Sequence, residues 1–227
     1  VVAGSGVNLE SFPQTDVRPE SAIAEGGVRF ILMSRLLQSK GVRVFAEAAR
    51  MVRQTHPKAE FHLVGPFDPN PDRVDEAEVK QWMDEGTVIH HGMVKDVASL
   101  LQAMDVFVLP TWYREGVPHS TLEALATGRA VITTDSPGAR ETVKLTAAGN
   151  DQREKGDAVM EGMNGYLVRP RDAEALAAAM RHYLEQPRLL HSHGIAGRFL
   201  AESIFDVRKV NALILQEMGF TKSATGP

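Results

Sequence analysis

The chain has no cysteine among its 227 residues. That absence removes disulfides, thiolate nucleophiles and sulfur-ligated zinc together. Concentrated positive charge is missing too. The formal net charge is -4, whereas a duplex nucleic-acid partner needs clustered Lys and Arg, so no nucleic acid is expected. No apolar run reaches the length of a membrane span and no signal peptide is apparent. A cytoplasmic location is the simplest expectation, with peripheral contact at the inner face of the cell membrane left open. Eight histidines are present, but none falls in an H-x-x-x-H or H-E-x-x-H pattern, and no metal site is expected. His90 and His91 are neighbours in a predicted strand, which directs them to opposite faces. There is no G-x-G-x-x-G, which weighs against a dinucleotide fingerprint. There is no G-x-x-x-x-G-K-[ST], which weighs against a P-loop ATPase. An initiating methionine is also lacking. The opening VVAGSGVNLESF reads as the interior of a longer protein.

What remains is an ordinary globular composition, 43% hydrophobic, with material for one large core. Apolar runs at 28–33, 60–65, 87–92, 106–109, 130–133 and 166–168 predict six strands. Helical spacing predicts helices over roughly 42–55, 74–84 and 96–103, and from Pro118 to Ala126. Residues 1–26 read as loop, with Phe12 as an apolar anchor. A short helix is expected over 139–143, and a polar surface insertion over 146–161. Asn164-Gly165 is a turn signal. Asp172 can cap a helix running to about Leu184, and residues 188–218 read as mostly helical. Alternating strands and helices predict an α/β fold: a Rossmann-like parallel sheet with helices on both faces.

Such sheets bind ligands beyond the carboxyl ends of their strands. Two groups of residues fall there. Ser34, Arg35 and Lys40 follow the first strand, and two cations at a strand end suit a nucleotide diphosphate. Glu115 and Glu123 flank the sequence GVPHSTL, one in a loop and one on the second turn of the following helix. Carboxylates at those places can accept from the paired hydroxyls of a ribose or a hexose. Gly116 lets backbone approach a ligand. The amides of Gly116, Val117 and the first turn after Pro118 can donate to phosphate, with His119 and Ser120 as further donors. Trp112 and Tyr113 either line the cleft or seal an interface. The backbone of Gly92 and Met93, after the third strand, either meets a base edge or is a plain strand exit. Asp105 reads as a local cap or local pair, and Asp135 and Ser136 as part of the turn with Pro137 and Gly138.

These residues, in this order, resemble the C-terminal donor-binding domain of GT-B retaining glycosyltransferases of family 4. The matching pieces are GSGVNLESF, SRLLQSKG at 34–41, the stretch from HHGMVKD to DSPGARE at 90–141, and MNGYLVRPRDAEALAAAM at 163–180. Glu115 and Glu123 fit an E-x7-E signature. The resemblance implies one half of a GT-B fold, with Glu115, Arg35 and Lys40 at the reacting end of the donor. Arg35 and Lys40 would neutralise the diphosphate, Glu115 would hold sugar hydroxyls and Glu123 ribose hydroxyls. Ser34, Gly92, Met93, Val94, Gly116, Val117, Pro118 and Leu122 complete the implied nucleotide-sugar site. It implies a UDP-sugar donor, with an N-acetylhexosamine as the sugar, and no metal. The acceptor would be a glycan or a lipid-linked sugar of the bacterial surface-polysaccharide type, bound partly by an N-terminal acceptor domain not in this chain. Residues 1–27 would lead in from that domain, 28–200 would form the nucleotide-sugar domain, 201–220 would return toward the missing half, and 221–227 would be a disordered tail. An isolated domain of this kind would bind donor with little or no turnover. A GT-B nucleotide-sugar epimerase and a non-catalytic nucleotide-sugar-binding module are the alternatives.

Overall fold

A computed structural model describes Gly4 and residues 6–218. The expected tail at 221–227 lies outside the described residues. In chain order the elements are α1 (Glu20–Gly26), β1 (Arg29–Met33), α2 (Val42–Arg53), β2 (Glu60–Val64), α3 (Glu76–Asp84), β3 (Ile89–His90), α4 (Val97–Gln102) and β4 (Val106–Leu109). Then come α5 (His119–Ala126), β5 (Ala130–Thr134), α6 (Ala147–Lys155), β6 (Val159–Gly162), β7 (Gly165–Val168), α7 (Ala173–Glu185), α8 (Arg188–Leu200) and α9 (Val207–Glu217). A π-helical turn, Ala201–Phe205, joins the last two helices. No described helix is long and apolar enough to cross a membrane.

The strands form one sheet of seven in the order β3-β2-β1-β4-β5-β7-β6. Every pairing is parallel except β6 with β7. Parallel strands are buried on both faces and therefore read as continuous apolar runs. VFVL of β4 and AVITT of β5 are buried at every position. Alternate residues of β1 serve different layers. Phe30 and Leu32 join a core with α2, α3 and α7, while Ile31 and Met33 join one with α4, α5 and the end of α8. The expected sheet with helices on both faces is present.

Three expectations are corrected. The segment 1–26 contains α1, a short helix with a single buried side chain, Ile23. The polar stretch 146–161 is not a mere surface insertion. It holds α6 and leads into β6, an antiparallel edge strand, so the sheet has one strand more than predicted. Asp105 is not a local cap. Its fully buried carboxylate pairs with Arg18 at 2.5 Å and accepts from the Arg29 amide at 2.7 Å. Beside it the buried Arg129 guanidinium donates to the carbonyls of Met104 and Thr127, at 3.1 and 3.0 Å, and to that of Thr15. Residues 13–18 are thus strapped across the end of the sheet away from the strand C-termini. Phe12 packs onto the core as expected. Val7 bridges to the start of α9: its amide donates to Phe205 and its carbonyl accepts from Val207 at 3.0 Å.

Candidate donor site

Strand order reverses between β1 and β4, which places a crevice beyond their carboxyl ends. The loops on its two sides are tied together. The amides of Trp112 and Tyr113 donate to the Ser39 carbonyl at 2.9 and 3.2 Å, and the Thr111 hydroxyl donates to the same oxygen at 3.1 Å. Gly41 has φ of 81°, and a Cβ there would lie 2.2 Å from the Pro110 carbonyl oxygen. Only glycine permits that conformation and that approach without strain. Lys40, at the end of the 3-10 turn Gln38–Lys40, forms an ion pair with Glu115 across the crevice. Its Nζ also lies 5.3 Å from the centre of the Tyr113 ring.

Asp72 fixes the turn that carries Lys40. Its carboxylate accepts from the Ser39 amide at 3.1 Å and from the Ser39 hydroxyl, while its carbonyl accepts from the Gln38 amide at 2.7 Å. Arg35 points elsewhere. Its exposed guanidinium donates to Asp68 at 3.0 Å. The Ser34 hydroxyl turns back onto the Arg35 carbonyl at 2.8 Å. The structure therefore brings Lys40 and Glu115 together and leaves Arg35 engaged by the loop after β2.

The loop from β4 to α5 leaves Gly116 exposed, with Val117 packed on the core and Pro118 buried ahead of the helix. The turn after β5 supports it from behind. Gly138 has φ of 80°, and a Cβ there would be 2.3 Å from the Glu115 carbonyl oxygen. The hydroxyls of Thr134 and Ser136 both donate to the Thr111 carbonyl, the second at 3.2 Å. Asp135 does more than form a turn: it pairs with Arg140 and with Arg153, each at 3.0 Å.

Glu123 occupies the second turn of α5, as the spacing predicted. It is partly buried and accepts no hydrogen bond from a described residue. Burial alone pushes its pKa up to about 7. A partly desolvated carboxyl that takes no hydrogen bond from a described residue can accept from ligand hydroxyls. Leu122 requires a correction. It is fully buried in the core beneath α5, on the helix face turned to the sheet, so its side chain packs instead of lining the cleft. At the other flank, the Gly92 carbonyl accepts from Gly65 at 2.9 Å, Met93 is 76% exposed and Val94 packs on the core. His90 and His91 do find different partners. His90 meets the Gly65 carbonyl at 3.1 Å, and His91 meets His62 at 2.9 Å. Burial lowers the pKa of both His62 and His91. Among the described residues, no group of three or more His, Asp or Glu is placed to hold a metal ion.

Sequence reasoning missed Ser39, Asp72, Thr111 and Thr134 and read Ser136 only as part of a turn, whereas the structure ties all five into the loops that border the crevice. Their only sequence signal is nearness to strand ends. Their partners lie 23–72 residues away in the chain.

A family model described as glycosyl transferases group 1 matches residues 27–186. The chain belongs to this family. Among curated relatives, an N,N'-diacetylbacillosaminyl-diphospho-undecaprenol alpha-1,3-N-acetylgalactosaminyltransferase from Campylobacter jejuni is 39% identical over 113 residues, covering 50% of this chain and 28% of that protein. A Mycobacterium tuberculosis glycogen synthase is 27% identical, covering 92% of this chain and 45% of the synthase. The chain thus spans about half, or less, of the length of these relatives. Solved GT-B glycosyltransferases share its fold. HepE from Anabaena, in complex with UDP, superposes with a TM-score of 0.74 at 20% identity, over 95% of this chain and 56% of that one. The C-terminal domain of a group 1 glycosyl transferase, LpcC from Francisella tularensis, gives 0.68 at 23% identity, over 88% of this chain and 99% of that domain. The seven-stranded sheet is therefore a Rossmann-like domain of GT-B type.

Proposed function

We propose that this chain is the donor-binding half of a retaining glycosyltransferase that takes a UDP-sugar. The observation that carries the reading is the Lys40–Glu115 pair set across the crevice between β1 and β4. A cation and a hydroxyl acceptor stand side by side at the topological switch point, where a diphosphate and its sugar would meet. Glu123 adds a carboxyl suited to ribose hydroxyls. Arg35 would exchange Asp68 for phosphate when donor arrives. The amides of Gly116 and Val117 would support the phosphates from the start of α5, the cationic side chains serving without a metal. Gly92, Met93 and Val94 would border the base. Solved HepE holds UDP and UDP-glucose, and the Campylobacter relative is an N-acetylgalactosaminyltransferase. We favour a UDP-N-acetylhexosamine donor and a glycan or lipid-linked acceptor.

In this reading the acceptor attacks on the face that the diphosphate leaves, through an oxocarbenium-like transition state, and the leaving phosphate takes the acceptor proton. Glu115 is a hydroxyl clamp, not a nucleophile. An acceptor domain of the full protein would close the cleft, with the lead-in residues and α9 next to it. Leu213, Leu215 and Met218 of that C-terminal region are exposed, and Val210 alone is buried within α9. The donor domain alone would show little turnover. The reading places the protein in the cytoplasm, against the inner face of the membrane where its acceptor is lipid-linked. Calorimetry with UDP tests the site. Alanine at Lys40, Arg35 or Glu123 should each weaken UDP roughly tenfold, the scale of a lost charge-assisted contact. Unchanged affinity in all three variants would sink the assignment.

A further inference from the structure

Arg171 is the only described residue other than glycine with positive φ, at 62°. It stands after β7, on the same carboxyl edge of the sheet as the crevice, just before Asp172 caps α7 by accepting from the Ala175 amide at 2.8 Å. The left-handed conformation costs any residue with a Cβ, and a glycine would adopt it freely. Such strain at a sheet edge where ligands bind is a pointer to function. The exposed Arg171 side chain reaches Trp112, its guanidinium 5.0 Å from the centre of the indole. Trp112 is partly buried and fixed by its amide on Ser39. Its neighbour Tyr113 shares that carbonyl and lies over Lys40, and Lys40 holds Glu115. An unbroken set of contacts therefore runs from Arg171 to Glu115, the carboxylate proposed to hold the sugar.

We propose that Arg171 is a positioning residue for the sugar end of the donor, acting through Trp112 on the loop that carries Glu115. The inference rests on the donor-site reading, and it assigns Arg171 no contact with the nucleotide. The distinction is measurable in this chain. Arg171→Gly removes the cation and also relieves the backbone, so the fold is expected to keep or raise its melting temperature. Calorimetry would compare UDP with UDP-glucose and UDP-N-acetylglucosamine. UDP affinity should hold, while affinity for the sugar nucleotides should fall by roughly two- to fivefold, the equivalent of one exposed cation–π contact. Arg171→Lys, which keeps a cation over the ring, should lie nearer the wild type. Equal loss for UDP and the sugar nucleotides would make Arg171 a direct nucleotide contact and overturn the proposal, as would no loss for either. A ligand-free readout stands apart from the donor-site reading. Hydrogen exchange at the amides of Trp112 and Tyr113 should speed up in Arg171→Gly while the interior of α7 is unmoved. Unchanged exchange there would also overturn the proposal. Failure of the wild type to bind UDP would instead overturn the donor-site reading.

Discussion

The carboxyl of Glu123 sits where a stability optimum would not put one. Burial without donors raises its pKa from 4.5 to about 7. A raised folded-state pKa means that the native state holds its proton more tightly than the unfolded chain does. Stability is then lost as pH rises from about 4.5 toward 7 and stays lost above it. Water still reaches part of this carboxyl, which reduces the loss at pH 8 to about 1 to 2 kcal/mol. In the proposed donor complex, ribose hydroxyls would donate to this carboxyl and offset the cost. Glu123→Gln keeps the shape and drops the charge. At pH 8 it should raise the melting temperature by several degrees and weaken UDP about tenfold. A variant with lower stability at pH 8 would show that the native carboxylate is satisfied by protein groups. The same residue shows what was legible in the sequence. The helical spacing after Pro118 placed Glu123 on the second turn. The family resemblance placed Leu122 in the implied nucleotide-sugar site, although its side chain is fully buried on the helix face turned to the sheet. Facing is set by the packing of α5 on β4 and β5, which a short stretch of sequence does not display.

Among the elements, strands with continuous apolar runs were legible because burial on both faces leaves no room for polar residues. The segment 146–161 was not. In α6 the only buried residue is Gly149, so the helix has no apolar stripe to read. Its signal lies in its ends. The Thr146 hydroxyl accepts from the Gly149 amide at 3.0 Å, and Gly156 closes the helix in a left-handed conformation. In β6 Met160 is the one buried apolar side chain, too little to show a period. What holds this region is Asn164, nearly fully buried in the turn between β6 and β7. Its amide group accepts from the Lys144 amide at 2.9 Å and donates to the Thr142 carbonyl at 2.8 Å. Sequence marked Asn164 as a turn former, and the structure adds this role as a pin. Asn164→Ala leaves both backbone groups without partners and should cost about 2 to 3 kcal/mol, read as a lower urea midpoint. A loss below about 0.5 kcal/mol would mean that water replaces the side chain.

Across the whole molecule, two buried groups pull its pH dependence in opposite directions. His193 lies in α8, where its Nδ1 meets the Tyr183 hydroxyl at 2.8 Å and burial lowers its pKa from 6.5 to about 4. A histidine kept neutral in the native state but protonated in the unfolded chain removes stability as pH falls from 6.5 toward 4. Its slope is about 1.4 kcal/mol per pH unit, stability rising with pH. Glu123 contributes a slope of similar size and opposite sign between 4.5 and 6.5, because there the native carboxyl is protonated and the unfolded one is not. The two offset each other over that window, so the wild-type slope there is set by the remaining groups. Glu123→Gln removes only the descending limb. Its urea midpoints, measured at half-unit steps from pH 4.5 to 6.5, should climb more steeply than those of the wild type. If the two profiles are parallel, Glu123 does not carry a raised pKa and imposes no cost on the fold. His62 and His91, also lowered by burial, add to the ascending limb in both proteins and leave the difference between them unchanged. The proposed donor edge then holds a destabilising carboxyl, while α8 holds a neutral histidine packed on Tyr166 and Tyr183.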